Sequence, residues 1–129
     1  MEAARGKPGP ITWCAPARAL EKPVSELTVI AHITTDPSKT EQFIEIFSEN
    51  LINVHEEAGC LHYTLHRNTE EPEKLVVVER WTSAEALAEH AVASHMNAMR
   101  EKAAGMSLNT EVLKFAKIDA PGMPEKSNI

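Results

Sequence analysis

The run from residue 75 to residue 100, LVVVERWTSAEALAEHAVASHMNAMR, changes its period midway, and that change limits what the chain can fold into. Residues 75–78 are apolar and rich in β-branched side chains, which suits a pleated strand. Thr82-Ser83-Ala84-Glu85 then reads as a T-x-x-E capping box, a device that satisfies orphan amides at a helix start. An Ala-rich helix follows, and Ser94 caps a second one. Trp81 stands at the strand end, with His90 and His95 on or beside the helices. This grouping places an aromatic plane and two titratable rings around one cavity, provided the rest of the chain closes it.

The remaining segments supply the other layers. Residues 24–34 (VSELTVIAHIT) read as strand 1, with Leu27, Val29, Ala31 and Ile33 on one face and Thr28, Ile30, His32 and Thr34 on the other. Asp36-Pro37 breaks it, and Ser38-Lys39-Thr40-Glu41 reads as another capping box. Phe43, Ile44, Phe47, Leu51 and Val54 recur at spacings of three and four, so one apolar stripe runs along a helix to about residue 58. Glu41, Glu45, Glu49, Glu56 and Glu57 fall on its other faces and read as a solvated surface. Gly59 is placed to end the helix in the left-handed conformation.

Residues 60–68 form strand 2 and residues 74–81 strand 3, joined by the acidic turn TEEPE as an antiparallel hairpin. If Asn68 faces Lys74, Tyr63 faces Glu79, Leu61 faces Trp81, His62 faces Arg80 and His66 faces Val76. Residues 110–118 (TEVLKFAKI) form strand 4, with Val112 and Lys114 alternating against Leu113 and Phe115. The order β-α-β-β-α-α-β is an α+β, ferredoxin-like unit whose second helix is broken in two. Helices cover only one side of a four-stranded antiparallel sheet. The other side carries Ile30, Val76, Val78 and Leu113 or Phe115, a patch that a soluble monomer would leave in water. The expected assembly is a homodimer with its sheets face to face, a dimeric α/β barrel.

Composition sets the remaining bounds. The length of 129 residues suits one domain, with 43% apolar and 25% charged residues. Residues 24–119 are the expected domain, 1–23 an extension outside the core fold, and 120–129 a tail. The extension carries four prolines, two glycines and Trp13, with no visible periodicity. A net charge of −6 and no basic patch with interleaved aromatics argue against nucleic acid. No apolar run is long enough to span a bilayer, and the start lacks the apolar core of a secretory signal. Cys14 and Cys60 are compatible with a disulfide, but a reduced cytoplasmic chain is the expectation.

With these elements in place, LTVIAHI, EEAGCLHYTLHR, LVVVERW and AEHAVASHMNAM together resemble the antibiotic biosynthesis monooxygenase (ABM) superfamily, in its small quinol monooxygenase branch. The similarity spans residues 25–118, and its most specific piece runs from Glu79-Arg80-Trp81 to His90 and Ser94-His95. The resemblance implies a dimeric α/β barrel that, in many members, oxygenates electron-rich aromatics without metal, flavin or haem. Haem-degrading members use a strand-1 Asn, a Trp after strand 3 and an axial His. Here Trp81 matches the Trp, while the Asn position falls on Ala31 and the axial His position near Arg100, so the broken triad disfavours haem degradation. Other relatives isomerise phosphorylated autoinducer sugars, and the fold by itself does not choose the reaction.

Oxygenation of a quinol or polycyclic phenol by dioxygen needs a dry pocket, a base for the phenolic proton and a polar group for the developing oxyanion. Histidine suits the base and tryptophan a pocket wall. The catalytic candidates are therefore His90, His95 and Trp81, with Tyr63, Glu79 and Arg100 as substrate-binding candidates. Each has a plainer reading: Trp81 as core, His90 as a surface residue, His95 as a helix-end hydrogen bonder, Tyr63 and Glu79 as a structural cross-strand pair, Arg80 and Arg100 in surface salt bridges. His62 and His66 lie about 13 Å apart along their strand and cannot share a metal. His90 and His95, five apart, have a poor chelating spacing. No cofactor or metal is expected. The alternatives are an isomerase of a small hydroxy-carbonyl compound and a non-catalytic binding dimer.

Overall fold

The computed structural model describes residues 26–118 and 121–122. Four strands, β1 (Leu27–Thr35), β2 (Cys60–Arg67), β3 (Lys74–Trp81) and β4 (Ser107–Phe115), form one antiparallel sheet in the order β2-β3-β1-β4. Between β1 and β2 lie α1 (Thr40–Glu49) and α2 (Leu51–His55), and between β3 and β4 lie α3 (Ala84–Ala91) and α4 (Ser94–Lys102). This is the expected β-α-β-β-α-α-β order, with the first helix also divided. The extension, with Trp13 and Cys14, and the first residues of the expected strand 1 lie outside the described residues.

Strand alternation sorts the side chains into two faces. Val29, Ala31 and Ile33 of β1, Leu75 and Val77 of β3, and Tyr63 of β2 are buried beneath Phe43, Phe47, Val54 and Met96 from the helices. The opposite face carries Ile30 between Val78 and Leu113, and His32 between Val76 and Glu111. The hairpin register is as expected at Tyr63↔Glu79, His62↔Arg80 and His66↔Val76. It departs at Leu61, because a bulge between Cys60 and His62 gives Trp81 to Cys60 instead.

Several local expectations are corrected. Ser38 does not cap α1: its N–H and Oγ–H both donate to Asp36 Oδ1, at 2.9 and 2.8 Å, and Lys39 takes the cap position without a side-chain bond. Ser38 is drawn into a local turn with the Asp36 carboxylate and does not accept from the helix amides. At α3 the cap is Ser83, whose Oγ accepts from the Ala86 N–H at 3.1 Å, and not Thr82. Ser94 is the first residue of α4, behind an Ala93 cap position with no side-chain bond. The first helix does not run unbroken to residue 58 but divides at Asn50, whose N–H bonds to the Phe47 carbonyl at 3.1 Å.

Gly59 is not in the left-handed region. It is glycine because a Cβ there would collide with the Ala86 Cβ and stand 3.0 Å from Thr82 Oγ1. Its missing side chain lets the first turn of α3 settle on the start of β2. β4 begins three residues earlier than expected, after Gly105 (φ 81°) reverses the chain and with Leu108 bulged out against Thr34 and Thr35. All nine of its residues are exposed, so the helices do not cover the whole inner face.

Candidate functional site

Beneath the helices, the uncovered part of the inner face opens into a cavity of about 490 Å³, in the range of small-molecule sites. Val29, Ala31, Ile33 and Val77 form its floor, Phe43, Phe47, Met96 and Met99 its walls, and Thr110 and Val112 of β4 its open side. Tyr63, Glu79 and His90 bring polar atoms to this apolar lining, and Arg100 stands at its exposed edge.

Each polar group is held by a traceable local cause. The Ser83 cap starts α3, and His90 falls in that helix's last turn, 5% exposed. Its ring lies 4.5 Å from Trp81 and 5.4 Å from Tyr63, centroid to centroid. His90 Nδ1 is 2.9 Å from Glu57 Oε2. A carboxylate only accepts, so Nδ1–H is the donor, and the neutral ring then presents Nε2 as a proton acceptor. Glu57 Oε2 also lies 2.9 Å from His95 Nε2. That second contact is not aligned as a hydrogen bond, and His95 Nε2 is the one buried side-chain polar atom left unpartnered among the described residues. On the far side of the ring, Asn50 Nδ2 donates to His95 Nδ1 at 3.1 Å.

Trp81 is wholly buried and donates its indole N–H to Glu79 Oε1 at 2.8 Å. Burial pushes the Glu79 carboxyl up to about 7; the Trp81 hydrogen bond opposes this, and the charge of Glu57 adds to it. Burial, then Glu79 and Glu57, push the Tyr63 phenol above its ordinary range, so it remains an O–H donor. The same burial, aided by Glu57, raises the Cys60 thiol, which is therefore no ready nucleophile.

Of the expected site residues, His90, Tyr63, Glu79 and Arg100 line the cavity. Trp81 and His95 do not. Trp81 lies one layer back and holds Glu79, which corrects the expectation that it walls the pocket, because the end of β3 is sealed under α3. His95 borders a separate 130 Å³ cleft with Asn50, Asn53 and Lys102, and meets His90 through Glu57 and in a tilted ring contact with centroids 6.4 Å apart. Arg80 is spent on Glu26 at 2.7 Å on the outer face. Glu57 and Asn50 were missed from the sequence, where Glu57 reads as solvated surface; its side chain is only 18% exposed. A signal was there: residues 47, 50, 54 and 57 continue the three-four spacing of the apolar stripe, with two polar side chains on it. Among the described residues, no three His, Cys, Asp or Glu side chains are grouped to hold a metal ion.

The fold recurs in solved structures. A conserved protein from Methanosarcina mazei Go1 shares 22% identity with a TM-score of 0.69, covering 74% of this chain and 95% of its own. A Caulobacter crescentus CB15 protein, provisionally named an antibiotic biosynthesis monooxygenase, shares 23% with a TM-score of 0.69, covering 74% and 92%. A Mycobacterium tuberculosis protein shares 24% with a TM-score of 0.68, covering 75% and 99%. At these identities the likeness shows the fold alone. No curated protein sequence matches the chain. The sequence model described as antibiotic biosynthesis monooxygenase matches residues 27–102, more than half the length and every element from β1 to α4. The chain therefore belongs to the antibiotic biosynthesis monooxygenase family.

Proposed function

We propose that this protein is a monooxygenase that oxidises a quinol or polycyclic phenol with dioxygen and needs no added cofactor. One observation carries the reading. His90, backed by Glu57, meets Tyr63 and Glu79 around an apolar cavity large enough for a fused-ring ligand. His90 Nε2 takes the phenolic proton, and the apolar walls keep water from the electron-rich anion. The anion passes one electron to dioxygen, and the two radicals join at a ring carbon. One oxygen stays on the ring and the other leaves as water, both electrons coming from the hydroquinone. Glu57 fixes the tautomer and orientation of His90, and Trp81 fixes Glu79. Among the described residues lining the cavity, Arg100 is the only permanent cation, which fits an uncharged aromatic better than a sugar phosphate.

The working unit in this reading is a homodimer. Ile30, Val76, Val78, Leu113 and Phe115 share the outer face, with Phe115 48% and Leu113 36% exposed. A second sheet packed on that patch would remove it from water and complete the barrel. Light scattering at micromolar concentration tests this; a monomer rejects it.

The reaction is tested with menadiol under oxygen and under argon, without added metal, following ¹⁸O from labelled dioxygen into product. Oxygen-dependent incorporation abolished in His90→Ala supports the proposal. Proton exchange of a hydroxy-carbonyl compound under argon would point to an isomerase, and binding without turnover to a non-catalytic dimer; either outcome rejects oxygenation.

A further inference from the structure

Tyr63 and Glu79 are direct cross-strand partners of β2 and β3 on the cavity face, 4% and 6% exposed. Side chains directly opposed in an antiparallel pair stand about 5 Å apart at Cβ on one face of the sheet, and here the charge of Glu79 acts on the Tyr63 phenol within the same cavity. The Tyr63 ring is fixed by stacking on Phe47 (5.9 Å, 4°) and by edge contacts with Trp81 and His90. Its hydroxyl has no hydrogen-bond partner among the described residues, although it is not sealed from solvent. Glu79 spends Oε1 on the Trp81 N–H, while Oε2 is likewise unpartnered and unsealed. Both oxygens are therefore open on the cavity side, where a ligand can take the place of water as their partner.

The geometry points to Tyr63 and Glu79 as an oxyanion-binding pair, two neutral O–H donors that hold the ionised oxygen of a planar phenolate or enolate in the cavity. This deepens the proposed function by assigning the ligand class the site binds, and it rests on that reading only for the proton acceptor. The step is a proton transfer: the ligand O–H breaks, His90 Nε2–H forms, and the negative charge on oxygen stays between the two donors. Neutral donors suit the task, since a buried O–H has no charge to desolvate before the ligand arrives. Burial keeps the Tyr63 phenol protonated and holds the Glu79 carboxyl protonated below about pH 7, and an arriving anion draws Glu79 further that way.

The test uses two probes of one shape on the intact protein: 4-nitrophenol, whose phenolate is coloured, and its methyl ether 4-nitroanisole, which cannot ionise. Bound 4-nitrophenol is expected to show the phenolate spectrum at a pH where the free compound is neutral. The ether is expected to bind at least about tenfold more weakly. Tyr63→Phe and Glu79→Leu should each weaken 4-nitrophenol about tenfold and leave 4-nitroanisole unchanged, which also reports an intact cavity. If Glu79→Leu does not fold, Tyr63→Phe decides by itself. Equal affinity for the two probes, a neutral-phenol spectrum, no binding of either probe, or wild-type phenolate affinity in Tyr63→Phe overturns the assignment. Phenolate binding without oxygen-dependent turnover removes the monooxygenase reading and keeps this one; turnover with wild-type phenolate affinity in Tyr63→Phe does the reverse.

Discussion

Replacing Glu79 by Gln should change how the stability of this protein depends on pH. The folded state holds the carboxyl at about 7 against an ordinary value of 4.5, chiefly because it is buried with no cation beside it. Between those two pH values the unfolded chain has released this proton and the folded chain has kept it. The folded state therefore binds more protons, and stability falls as pH rises, by about 1.4 kcal/mol per unit. The loss ends once the folded carboxyl ionises, and it amounts to about 3 kcal/mol above pH 7. Gln keeps an acceptor for the Trp81 N–H and nearly the same volume, yet cannot ionise. Urea denaturation of both proteins at fixed chain concentration, from pH 4.5 to 8, isolates the effect, because every other titrating group is common to the two. The variant should be nearly isostable with wild type at the acid end and more stable by about 3 kcal/mol at the alkaline end. Parallel curves, with a difference that changes by less than about 0.5 kcal/mol across the range, would refute the argument that burial holds this carboxyl neutral.

Other expectations follow from the same contacts. His90→Ala should lower kcat with menadiol by about 10²–10⁴-fold with little change in KM, read by steady-state oxygen uptake; unchanged kcat removes His90 as the base. Trp81→Phe deletes the hydrogen bond that favours the charged form of Glu79, so ¹³C-carboxyl NMR should place the Glu79 midpoint above its wild-type position, and a lower midpoint contradicts the contact. Gly59→Ala forces a methyl group against Ala86 and should cost about 1–3 kcal/mol in chemical denaturation, whereas a neutral effect would mean that α3 can shift freely. Val78→Asp on the outer face should leave a monomer by light scattering; a persistent dimer would place the interface elsewhere.

Much of the fold was legible in the chain because it is written in short periods. Alternation in LTVIAHI and LVVVERW sets which side chains share a face, and the turn TEEPE sets a register that holds from His62 to His66 against Arg80 to Val76. The three-four spacing of Phe43, Phe47 and Val54 marks the buried side of the helices. These are relations between residues a few positions apart, and local backbone geometry alone enforces them. Helix ends were less legible, since Thr82 and Ser83 offer the same amides nearly equal chemistry, and Ser38 donates to Asp36 where it looked like a cap.

The site is a different kind of fact. His90 could be named as a candidate from its sequence neighbourhood, but its partner Glu57 lies 33 positions away and looked like one more surface carboxylate. Trp81 was legible as important and misplaced as a wall, because only the packing of α3 over β3 shows that the indole faces Glu79. The exposure of β4, which opens the cavity, depends on how far the helices reach across the sheet. The sequence by itself therefore determined the order of elements, the two faces of the sheet and the family. Tertiary structure alone decided which acids and imidazoles meet and which of them stay uncharged, because both depend on solvent exclusion and on distances through space, which no local repeat in a chain records.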